Sequence, residues 1–76
     1  MSEASITKSE VRFQVPVGSV WVHVKTQNSY VVTGLAIRES DLSMDVNYRS
    51  VKGDHDTIPW SRPVAEFMDG RFRRKL

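Results

Sequence analysis

Three groups of residues carry the chemistry this sequence can offer. Trp21, His23 and Lys25 fall at alternate positions of an apolar-rich stretch, so in an extended strand they share one face. An aromatic ring, an imidazole edge and an ammonium on one face suit stacking and anion contact. The same pattern also fits an ordinary solvent-facing strand with one large ring packed under the N-terminal arm. Trp60 and Arg62 are likewise two apart. The planar guanidinium of Arg62 can take a phosphate or carboxylate in a forked contact. Alternatively it pairs with Glu39 or Glu66 and holds a corner of the chain together. Tyr30 and Tyr48 offer rings for a base, or fill the edge of a core with the hydroxyl in water.

The fourth feature is the C-terminal segment Arg71-Phe-Arg-Arg-Lys-Leu76. Arg71, Arg73, Arg74 and Lys75 make it a nucleic-acid contact, with Phe72 available to stack, or else a solvated tail with favourable charge beyond a helix C-terminus. Net charge alone says little. The chain carries +2, but without those four cations it has seven basic and nine acidic residues. Any electrostatic attraction for a polyanion therefore rests on the tail or on a local patch.

Other chemistries find less support. His23 and His55 do not fall into a metal-ligand spacing with the carboxylates, so no metal is expected. Gly18, Gly34, Gly53 and Gly70 are scattered and make no phosphate loop. No serine sits in a nucleophile motif, and a chain of 76 residues builds a water-excluding pocket with difficulty. The expectation is a non-enzyme without a cofactor. Absence of cysteine excludes thiolate chemistry and disulfides, which fits the cytoplasm. No apolar run approaches the ~20 residues of a membrane span, and Met1–Thr7 has no secretory pattern.

The elements that position these residues read as follows. Residues 1–10 are polar and aperiodic, and are expected as a flexible tail before one domain spanning 11–76. Val11, Phe13 and Val15 alternate with polar residues, giving a short strand or arm. Ser19 to Thr26 is the clearest strand, and its face of Val20, Val22 and Val24 is assigned to the core. Gln27-Asn28-Ser29 turns the chain into a second strand, Tyr30 to Arg38, rich in β-branched residues. Met44 to Val51 follows with Met44, Val46 and Tyr48 inward. Lys52 to Asp56 is an exposed loop, and Thr57 to Arg62 a fourth strand.

Pro63 then forces a corner, and Val64, Phe67 and Met68 follow at helical spacing up to Gly70, a residue suited to a left-handed stop. The helix is expected to begin at Pro63 and run about two turns. Phe72 can return to the sheet as a last short strand. The predicted core comprises Val20, Val22, Val24, Leu35, Val46 and Phe67. Together these elements predict a mostly-β fold: a small curled antiparallel sheet, or SH3-like partly open barrel, of four to five strands with one short C-terminal helix. So small a core is marginally stable unless the chain oligomerises.

Gly18, His23-Val-Lys25, Tyr30-Val-Val-Thr-Gly-Leu-Ala36, Glu39, Val46-Asn-Tyr-Arg49, Trp60-Ser-Arg-Pro63 and Phe67 together resemble the small bacterial and phage family known as domain of unknown function 1653. The resemblance spans residues 18–67. The chain departs from the family pattern at Thr26, where a glycine is usual, and at Ile37-Arg-Glu-Ser40. The resemblance implies an accessory role in a phage or prophage, and the host cytoplasm as its place, but no activity. Two functional expectations follow from the residues. One is a non-catalytic module for nucleic acid or a nucleotide-like anion. The other is a protein-interaction module acting on a host or phage protein through an edge strand or aromatic patch.

Overall fold

The computed structural model describes residues 8–52 and 58–75. In chain order these form helix α1 (Lys8–Gln14), strands β1 (Val20–His23), β2 (Ser29–Ile37), β3 (Met44–Ser50) and β4 (Trp60–Pro63), helix α2 (Val64–Phe67) and strand β5 (Phe72–Lys75). The strands make one antiparallel sheet in the order β4-β3-β2-β1-β5. It curls into a half-barrel, so the mostly-β, partly open architecture is as the sequence predicts. The edges of the half-barrel are β4 and β5, and α2 joins them.

Phe67 anchors the inside and is fully buried. Its ring stacks on Phe72 with centroids 4.4 Å apart, and meets Trp21 edge-on at 5.1 Å and Tyr48 at 5.5 Å. Val32 and Val46 complete the floor of this core, and Val11 and Val15 from the α1 segment close it. Phe72 therefore ties β5 to β1 through the core, and His23 lies opposite it in the register.

Three sequence expectations are corrected here. First, β1 is the other way round from the valine-in assignment. Trp21 is buried, Val20 and Val22 are half-buried on the outer side, and Val24 is 45% exposed. A large ring fills the hollow of a curled sheet better than three valines do. Its one polar atom is also satisfied: Trp21 Nε1 donates to Ser19 Oγ at 2.9 Å, and that hydroxyl donates to the Pro16 carbonyl at 2.6 Å. Second, the Val11–Val15 arm is helical, not extended, and the helix already begins at Lys8 within the expected tail. Val11 and Val15 are four apart, one face of a helix, while Phe13 between them is 84% exposed. Third, α2 is a single turn. Pro63 closes β4 with extended backbone (φ −56°, ψ 143°) and stands just before the helix, not in it.

A bulge at Thr33 explains the faces of β2. Val32 lies opposite Tyr48, but Gly34 lies opposite Asn47, so Thr33 is left over. Tyr30 and Val32 thus point inward before the bulge, and Leu35 points inward after it. Simple alternation separates Val32 from Leu35, whereas the structure puts them on the same face. The β1–β2 connection turns at Gln27, which takes a left-handed φ of 65°. In the β2–β3 turn, the Ser43 hydroxyl and N–H together with Arg38 hold the Asp41 carboxyl below its ordinary range.

Candidate nucleic-acid interface

The curl divides the predicted site residues between two surfaces. His23, Tyr30, Tyr48 and Arg62 come together on the inner side, around Phe72. His23 and Tyr30 meet that ring at 5.1 and 6.0 Å, Tyr48 at 5.5 Å, and Tyr30 and Tyr48 touch edge-on at 5.3 Å. This is the wall of the core. Trp21, Tyr48 and Phe72 are each less than a tenth exposed, so none of these three rings offers a face to a base. The stacking role expected for Phe72 is thereby corrected. His23 is half-buried, and its Nδ1 lies 3.1 Å from the Thr26 hydroxyl. Lys25 sits in the turn after β1, exposed, and does not share the strand face with Trp21. Trp60 lies on edge strand β4 with 66% of its surface exposed.

Arg62 closes the seam between the two edges of the half-barrel. Its Nε donates to the Tyr48 hydroxyl at 3.2 Å, and its guanidinium stands 5.7 Å from the centre of the Phe72 ring on β5. The salt-bridge partner is Glu66, at 3.4 Å, and not Glu39, which is exposed in the turn after β2. The hydrogen bond to Tyr48 raises the already high pKa of this arginine; burial, the next effect in size, opposes it, and Glu66 and Asp69 add smaller upward effects. One side chain thus links β3, β4, α2 and β5. Arg62→Ala is expected to cost about 1–2 kcal/mol, from a charged hydrogen bond and a cation–ring contact. That corresponds to several degrees of Tm in a domain of this size. Arg62→Lys should recover little, because lysine lacks the fork that reaches Tyr48 and Glu66 together. An unchanged melting curve for the alanine variant would contradict this.

The basic segment splits in a similar way. Arg71 is bound to Asp69 at 3.0 Å and to Glu66 at 3.7 Å, and so helps hold the corner before β5. Arg73 and Lys75 point the opposite way from Phe72, onto the outer face. The register brings them beside residues of three other strands. Arg49, Val31, Val20 and Lys75 form one cross-strand row on that face. Ser29, Val22 and Arg73 form the row beside it. A shallow depression on this side is lined by Val22, Gln27, Ser29, Arg73, Arg74 and Lys75. Arg49, Arg73 and Lys75 make no ion pair among the described residues. No acidic residue occurs in either row. The result is a low apolar strip of half-buried valines with cations on both sides.

Arg49 and the valines were not among the residues the sequence singles out as a site. Their outward direction on β3 and β1 is readable from alternation only once the inner face is known. Their proximity to Arg73 and Lys75 depends on β5 pairing with β1, a contact between residues about 50 apart in the chain. Among the described residues no group of three histidines, cysteines or carboxylates is placed to hold a metal ion, and His55 lies outside them. No helix among the described residues is long and apolar enough to cross a membrane.

Fold and surface together define a small half-barrel with an aromatic interior and a basic, apolar-floored outer face. No protein-family model, curated protein or solved structure matches the chain.

Proposed function

We propose that this protein is a non-catalytic binding module that holds nucleic acid by its phosphate backbone on the outer face of the half-barrel. The observation that carries the reading is Arg49. Cations on an edge strand such as β5 commonly guard the edge against pairing with another chain. Arg49 sits on β3, far from the β5 edge, one residue past the end of the β4 pairing at Tyr48, and its neighbour in the sheet is Val31 of β2. It nonetheless shares a row with Lys75 and lacks a carboxylate partner among the described residues. Unpaired cations at fixed strand positions are the electrostatic footprint of a polyanion site. In keeping with the family resemblance, we place this module in a phage accessory role in the host cytoplasm.

The test is fluorescence anisotropy of a labelled oligonucleotide at several salt concentrations. Binding should weaken steeply with salt, and each of Arg49→Gln, Arg73→Gln and Lys75→Gln should lower the slope of log K against log salt by about one. Folding should be preserved, since all three side chains are solvent-facing. Binding that ignores these substitutions would overturn the assignment.

One observation favours a second reading. Trp60 on edge β4 and Ile58 just before it are 66% and 79% exposed, a surface suited to a protein partner. Under that reading Trp60→Ala abolishes the interaction and salt has little effect on it.

A further inference from the structure

Given nucleic-acid binding on the outer face, we infer that the ligand is double-stranded and is held without reading its bases. The first ground is where the rings are. Proteins that hold single strands combine a basic groove with aromatic side chains on which unpaired bases stack. In this chain Trp21, Tyr30, Tyr48, Phe67 and Phe72 belong to the inner side and contact one another there, and the exposed rings Trp60 and Phe13 lie on edge β4 and on α1, outside the two outer rows. The two outer rows contain only Arg49, Val31, Val20, Lys75, Ser29, Val22 and Arg73. A flipped-out base placed on them meets valine methyl groups and no π-face.

The second ground is spacing. Arg49 and Lys75 stand at opposite ends of one row, three strand intervals apart, which is about 14 Å between backbones. Arg73 lies two residues along β5 from Lys75, about 7 Å away on the same side. One cation on β3 facing two on β5 across about 14 Å matches the separation of phosphate rows bordering a groove of about 12 Å. A single strand supplies one such row.

The third ground is shape. The core fills the concave side of the curl, so this face is convex. Val20 and Val31 at its crest are short and uncharged, and neither can donate to or accept from a base edge. Such a surface sits over a groove and is steadied from both sides. Its contacts are to phosphates, which fix position and carry no sequence information.

Competition measurements on the full chain test this. A labelled duplex of about 20 base pairs, two helical turns, is displaced by unlabelled competitors at low salt. The competitors are a duplex DNA of unrelated sequence, a duplex RNA, a single strand of matched length and a nucleoside triphosphate. The unrelated duplex should compete within about twofold of the original, because backbone contacts carry no sequence information. The single strand should be weaker by about tenfold or more, lacking a stacking platform. Duplex RNA competing as well as duplex DNA would leave backbone reading intact and show that either helix form is accepted. A single strand that competes as well as the duplex, or a strong preference for one sequence, overturns the inference while the nucleic-acid reading stands. Failure of every oligonucleotide to bind overturns that reading itself.

Discussion

Phe67→Ala is expected to leave the chain largely unfolded in the absence of denaturant. The ring is fully buried and meets Trp21, Tyr48 and Phe72. Removing a buried phenylalanine costs about 3–5 kcal/mol. A core in a chain of this size supplies no more than about that amount in total. The location makes collapse around the void difficult, because Phe67 is the point where α2, β1, β3 and β5 converge. Urea unfolding followed by tryptophan fluorescence measures the effect, and Trp21, edge-on to Phe67, is a reporter beside the lesion. A loss below about 0.5 kcal/mol, the range of ordinary surface changes, would show that the α2 turn is not docked as described.

Trp21→Ala and Val22→Thr should differ sharply, although the two residues are neighbours. Trp21 is 8% exposed, and its indole N–H is bonded inside the core. Its truncation is expected to cost about 3–5 kcal/mol. Val22 lies on the outer face beside Ser29 and Arg73. Threonine keeps its branched shape in the strand and adds a hydroxyl where water is available, so a change of about 0.5 kcal/mol is expected. Denaturant midpoints of the two variants decide which face of β1 is the inside. A severe loss for Val22→Thr with a mild one for Trp21→Ala would restore the valine-in arrangement and remove the outer-face site.

The existence of most strands was legible because alternation and turn residues mark them. Pro63 and Gly70 bracket the corner they suggest, and Phe72 does open a strand. The side of β1 was not legible, because both of its faces carry bulk. Three valines outweigh Trp21, His23 and Lys25 in hydrophobicity, but only the curl of the sheet shows that the hollow needs a large ring. The bulge at Thr33 leaves no mark in a β-branched run. Val11, Phe13 and Val15 fit a period of two, and the helical alternative rests on only the i, i+4 pair Val11 and Val15. The candidate site was obscured for a related reason. The sequence offers aromatic and basic residues together as ligand contacts, whereas the fold buries Trp21, Tyr48 and Phe72, leaves Trp60 exposed on edge β4, and puts Arg49, Arg73 and Lys75 on the outer face.

The most direct measurement of the functional assignment is a titration of the isotopically labelled protein with a DNA duplex at low salt, followed by amide proton–nitrogen correlation spectra. Shifts concentrated at Val20, Val22, Val31, Arg49, Arg73 and Lys75, and reversed by added salt, are the predicted result. Shifts centred instead on Ile58, Trp60 and Lys25, or no shifts at any duplex concentration, would contradict it.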